Sequence, residues 1–147
     1  MPPDFSLQSV LDYRTTIVET LEIELGQLLR DRSQLKETLY RLERKEQLIW
    51  QELIQEQIGD LDLIRIDQLQ SHLEDVEEDK HQLLARLKTV AAAIHAKREE
   101  LIAAKQDEEV LEIIKDKEIE RFYQQVKKHE QKVQDDIYIA QAYQSRS

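Results

Sequence analysis

Cysteine is absent from the 147 residues, and glycine and proline occur only twice each. Without cysteine there are no disulfides, no thiolate metal sites and no cysteine nucleophile. With so few residues that break helices, the chain lacks the turns that a sheet or an α/β fold needs. Aromatics are scarce, at 5%, so no broad aromatic core is expected. Long apolar runs are missing as well, and nothing approaches the roughly 20 residues needed to span a bilayer. The first residues, Met1-Pro-Pro-Asp-Phe5, carry neither the basic region nor the apolar stretch of a signal peptide. A cytoplasmic, soluble chain is expected.

What the chain does contain is charge, at 35%, with a net value of −10. That balance argues against binding to DNA or to anionic membranes, both of which call for a basic surface. Apolar residues reach 40%, too many for simple disorder. A composition rich in Glu, Lys, Leu, Gln, Arg and Ile with a helical period belongs to long helices and coiled coils.

The period is legible from near the N-terminus. Pro2 and Pro3 hold the first residues out of a helix, and Asp4 or Ser6 is placed to cap the one that follows. Apolar residues then recur at steps of three and four: Leu7, Leu11, Val18, Leu21, Leu25, Leu28, Leu35, Leu39, Leu42, Ile49 and Leu53. Only Arg14, Arg32 and Glu46 interrupt them. Such a stripe faces a partner helix, because supercoiling keeps one face turned inward. It stops at Gly59-Asp60-Leu61-Asp62, where a glycine suits a helix C-cap and an aspartate a new N-terminus. The heptads run straight through Gly26, a weak spot costing about 1 kcal/mol against alanine.

A second stripe runs through Ile66, Leu69, Leu73, Val76, Leu83, Leu87, Val90, Ile94, Leu101, Ala104 and Leu111, with Lys80, Lys97 and Glu108 as polar members. After Leu111 the spacing slips, as in a stutter, and resumes at Ile119, Phe122, Val126, Val133, Ile137 and Ala140. Folding back at the Gly59 turn pairs Leu53 with Leu69, Ile49 with Leu73, Leu39 with Leu83, Leu28 with Ile94, Val18 with Ala104 and Leu11 with Leu111. Arg14 falls in the layer of Glu108, a candidate pair for setting register. The fold class expected is all-α, an antiparallel two-helix coiled coil. Helix 1 covers about residues 6–57, the turn about 58–63 and helix 2 about 64–143, in one domain. At 1.5 Å per residue the helices span about 78 Å and about 120 Å. The second therefore overhangs, carrying Ile119, Phe122, Tyr123, Val126, Val133, Ile137 and Tyr138 with no partner in its own chain. Apolar surface of this kind marks a binding site for another protein or a second copy.

Charge separates the two ends. Between Glu56 and Asp79 the acids are Glu56, Asp60, Asp62, Asp67, Glu74, Asp75, Glu77, Glu78 and Asp79, against Arg65 alone. Between Lys115 and Lys132 the bases outnumber the acids. Two chemically distinct ends suit two partners. Near the turn, heptad position puts Ile49, Leu53, Leu69 and Leu73 in the seam. Trp50 stands beside it, as a contact residue of a type favoured at hot spots.

No catalytic or cofactor chemistry is expected. Glu78-x-x-His81 has ligand spacing on one helical face, but a di-iron bundle needs two such motifs and two further glutamates. His72, His95 and His129 have no ligand-spaced neighbours. Gly-rich phosphate loops, Gly-x-Ser-x-Gly and His-Glu-x-x-His are all absent.

Within this frame the run Phe5-Ser-Leu7-Gln-Ser-Val10-Leu11-Asp12-Tyr13-Arg14 is informative, with Val18-Glu19, Glu24-Leu25-Gly26-Gln27-Leu28-Leu29 and Glu130 through Asp135-Asp136-Ile137 and Ala140. It resembles the flagellar FliJ family of the type III protein export apparatus over nearly the whole chain. The family's Asp-Glu near the C-terminus is Asp135-Asp136 here. The resemblance implies a non-enzymatic rod similar to the central stalks of rotary ATPases. Its open end would sit in a hexameric export ATPase. The other part would contact the cytoplasmic domain of the export gate, with escort of export chaperones as a further role and membrane association only through partners. Carried over, the ATPase-facing candidates are Leu11, Arg14, Phe122, Tyr123 and Lys127. The gate-facing candidates are Leu42, Ile49, Trp50, Leu69, Leu73 and Val76. A self-assembling coiled-coil scaffold or adaptor is the competing expectation.

Overall fold

Two helices make up nearly all of the computed structural model, which describes residues 4–59 and 62–146. Helix α1 is Gln8–Ile58 and helix α2 is Leu63–Ser145, 51 and 83 residues long. No strand occurs among the described residues. The two pack as an antiparallel hairpin, the second helix being the longer. Residues 1–3, with the expectation for Pro2 and Pro3, and Asp60 and Leu61 of the expected turn lie outside the described residues.

The helices form two compact units. One is Leu21–Leu101, which holds the turn. Its tightest packing joins Ile49 and Leu53 of α1 to Leu69, Leu73 and Val76 of α2, with Leu42 and Ile66 packed against them. These are the seam residues that the heptad pairing sets opposite one another. Further along, Leu83 and Ile94 are buried, while Leu28, Leu35, Leu39, Leu87 and Val90 are half-buried. Half-burial is what a single partner helix provides, since it covers one side of a side chain and leaves the other to water. Full burial of such a residue stabilises by about 1.5–3 kcal/mol, so the cluster from Ile49 to Val76 anchors this unit.

Asp62 starts α2 by two routes. Its Oδ1 accepts the Arg65 backbone N–H at 3.2 Å, and its carbonyl accepts that of Ile66 at 3.0 Å, the pattern of an N-cap. Gly59 departs from expectation: neither glycine has a positive φ, so α1 does not end in a left-handed glycine cap. A Cβ at Gly59 would meet nothing within 4 Å, and one at Gly26 would meet only Arg30 Nη1, at 4.0 Å.

The other unit combines Met1–Thr20 with Ile102–Ser147. Phe5, Leu11 and Val18 are buried on one side and Ala104 on the other. The expected stripe began at Leu7, but Leu7 is 38% exposed and Phe5 only 8%. Helical phase does not reach back that far. The Gln8 N–H donates to the Phe5 carbonyl at 3.0 Å, closing a turn ahead of α1 that brings Phe5 inward. On α2, half-burial runs through Leu111, Lys115, Glu118, Ile119 and Phe122. Ile119 and Phe122 were expected to lie bare; they are partly covered, with Phe5 among the buried groups of their unit. From Tyr123 to Arg146 every residue is exposed. The helix therefore continues for some 34 Å with every described residue exposed.

Two sets of substitutions test this packing by thermal or urea unfolding. Ile94→Ala is expected to cost about 2–5 kcal/mol, against roughly 0.5 or less for Ile102→Ala, which lies at a position 53% exposed. Gly26→Ala is expected to stabilise by about 0.5–1 kcal/mol. Gly59→Ala should be neutral or mildly stabilising, because neither φ nor space opposes a methyl group there.

Candidate functional site: surfaces beside the seam

A pair of supercoiled helices leaves its polar interruptions at the edge of the seam, where they can pair across it. Glu46 and Lys80, which break their respective stripes, meet at 3.0 Å with side chains about one quarter exposed (24% and 25%). Lys97, another break, donates to Glu24 at 2.6 Å and lies 3.5 Å from Glu100. Its pKa is raised, chiefly by the hydrogen bond to Glu24, with burial opposing and the charges of Glu100 and Glu24 adding. Arg65 pairs with Glu52 at 3.1 Å on a more exposed edge. In the other unit the acid that Arg14 meets is Asp107, at 3.4 Å, one position before the half-buried Glu108. With side chains 40% and 57% exposed, this pair is weak, in the range of about 0–1 kcal/mol.

The residues assigned to a gate contact fall into two groups. Ile49, Leu69, Leu73 and Val76 are buried in the seam, and Leu42 packs against them. They hold the helices together and offer little to a partner. Trp50 alone stands out, 49% exposed. Beside it an open groove is lined by Trp50, Leu53, Ile54 and Gln57 of α1 and by Gln70, Leu73, Glu74 and Glu77 of α2. Each set follows the steps of three and four that align residues on one helical face. The groove is thus apolar at its base and acidic along α2. Ile54, at 56% exposed, was not singled out from sequence, although it lies one turn beyond Trp50 on the same face. On the other side of the seam a second groove carries Lys45, Arg65 and His72 with Glu52.

The residues assigned to an ATPase contact all belong to the unit containing the termini. Leu11 is buried and serves packing. Arg14 is half-buried and held by Asp107. Phe122 is half-buried and meets Tyr123 edge to face, with ring centroids 5.6 Å apart. Tyr123 and Lys127 are exposed. They begin a stretch in which Val126, Val133, Ile137, Tyr138, Ile139 and Tyr143 are 36–80% exposed, interspersed with Lys127, Lys128 and Lys132.

No group of three or more His, Asp or Glu able to hold a metal occurs among the described residues. Glu78 accepts a hydrogen bond from Gln82 at 3.2 Å, and His81 is exposed. No helix among the described residues is long and apolar enough to cross a membrane.

The family model described as flagellar FliJ protein covers residues 3–147. No curated protein and no solved structure matches the chain.

Two measurements check the seam-edge charges. A double-mutant cycle on Glu46→Gln and Lys80→Gln should give a coupling of about 0.5–1 kcal/mol. For Lys97 the raised folded pKa means that its contribution is fully present below the unfolded pKa and is lost as pH rises through the folded value. The stability difference between the native chain and Lys97→Met should therefore stay level through neutral pH and shrink only in strongly alkaline solution.

Proposed function

The chain belongs to the flagellar FliJ family, and on that premise we propose that it acts as a central-stalk-like connector in flagellar protein export. Membership makes it a component of the flagellar export apparatus, a family of export components rather than of enzymes. In the finer reading, the face that begins at Phe122, Tyr123 and Lys127 enters a hexameric export ATPase. The groove at Trp50 meets the cytoplasmic domain of the export gate, and escort of export chaperones is a further role. The protein would work in the cytoplasm, reaching the membrane only through these partners.

The observation that carries this reading is the uncovered end of α2. Residues 123–145 are helical and exposed throughout, and their apolar stripe is left uncovered by the described residues of its unit. Most helical stability in proteins comes from packing an amphipathic face, and an enclosing partner would supply that packing to this segment. A ring that surrounds such a helix would cover its apolar and basic faces together. Of the gate-facing candidates, the seam residues act indirectly by holding the helices that present Trp50 and Ile54.

The test is to mix the chain with a hexameric export ATPase and follow binding and ATP turnover. Stimulation is expected, and Tyr123→Ala or Lys127→Glu should weaken the complex by roughly tenfold or more, as for contact hot spots. Trp50→Ala should leave that stimulation intact and lower affinity for the gate domain. Absence of binding, or Tyr123→Ala and Lys127→Glu variants that behave as the native chain does, would overturn the proposal.

A further inference from the structure

The bare end of α2 carries a pattern that is complementary to itself. Ile119, Tyr123, Val126, Glu130, Val133, Ile137 and Ala140 follow one another at alternating steps of four and three. From Tyr123 onward all are exposed. They form a coiled-coil stripe with a single carboxylate, Glu130, at its centre. Helices joined along such a stripe meet in layers, and the residues flanking those layers decide orientation and register.

Parallel pairing of two copies in register would stack Glu130 on the partner's Glu130 in one layer, a like-charge contact in a partly dry seam. Antiparallel pairing avoids it. In one antiparallel register Tyr123 meets the partner's Ala140, Val126 meets the partner's Ile137, and Glu130 meets the partner's Val133, each contact occurring twice by symmetry. Large faces small at the outer layers, and aliphatic faces aliphatic in the next. Flanking the layers, His129 lies beside the partner's Asp136 and Lys127 beside the partner's Gln134. A slip of one heptad in either direction is penalised: one sets Lys127 beside the partner's Lys127, the other sets Asp136 beside the partner's Asp136. Like charges thus weigh against in-register parallel pairing and against both one-heptad slips, and the register centred between Glu130 and Val133 is the one of these arrangements that has none stacked in a layer or facing across its flanks.

We propose that the exposed end of α2 pairs with a second copy of this chain as an antiparallel, two-fold symmetric coiled coil centred between Glu130 and Val133. The six layers from Tyr123 to Ala140 span about 26 Å. This is a short seam with a carboxylate on each side of its centre, so the dimer is reversible rather than permanent. The inference stands apart from the export reading, although it concerns the same face: a helix paired in this way must separate before any other protein can enclose it.

The absence of cysteine makes cross-linking clean. Full-length Val126→Cys and Ile137→Cys chains are mixed and mildly oxidised. The mixture should give a covalent dimer at least tenfold more abundant than either variant alone, since only unlike positions meet. Disulfides formed by Val126→Cys alone would indicate parallel pairing and overturn the proposal, as would no cross-link in the mixture. In sedimentation, Glu130→Leu should shift dissociation to about tenfold lower concentration and Val133→Asp should leave monomers. A native chain that stays monomeric at all concentrations would also overturn it. Circular dichroism confirms that each variant keeps its helix, as expected for exposed positions of α2. No export protein is present, so failure here leaves the ATPase test unaffected, and failure there leaves this one unaffected.

Discussion

A helix with one partner can dry only one stripe. Every other feature of this protein follows from that constraint. Two stripes of leucine, isoleucine and valine meet along the seam, and no third layer covers what lies beside it. Many seam residues remain half-buried as a result, and only a few, such as Val76 at 1% and Ile94 at 2% exposed, are fully enclosed. Polar residues are tolerated within the stripes because a short sideways displacement brings them to water and to an opposite charge. Glu46 with Lys80 and Glu24 with Lys97 are of this kind. Their net contribution is small, but each disfavours registers that would leave the partner charge half-buried and alone.

The same constraint decides what is available for recognition. Groups that fill the seam are spent on holding the hairpin together, so contacts must come from residues immediately outside it. Trp50 and Ile54 are of that type, standing over a groove whose α2 wall is acidic through Glu74 and Glu77. The end of α2 is a different case. There the stripe continues after its partner has ended, and a seam-like face is left in water from Tyr123 onward. That uncovered face is the surface on which both the export reading and the pairing of two copies are proposed.

Much of this was legible without coordinates. The scarcity of glycine and proline, together with steps of three and four, is enough to specify two long helices, and matching the stripes gave the pairing around Ile49, Leu53, Leu69 and Leu73. Family likeness was legible too, from Phe5 to Arg14 and around Asp135. The candidate sites were less so. Periodicity reports which residues share a face, and the strongest face is the seam, so Leu42, Ile49, Leu69, Leu73 and Val76 were named as contact candidates and lie in or against the seam. Ile54 was overlooked because it lies outside the stripe.

Sequence by itself therefore determined the element types, the seam and its layers, since these depend on local spacing and on the common need of both stripes to leave water. Tertiary structure alone decided where coverage stops, that Phe5 rather than Leu7 turns inward, that Arg14 meets Asp107, and that Gly59 needs no left-handed backbone. Those outcomes depend on what lies across from a residue and on how the chain enters and leaves its helices. A one-dimensional pattern does not encode either quantity. Spacing names the face, and the neighbouring chain decides whether that face stays wet.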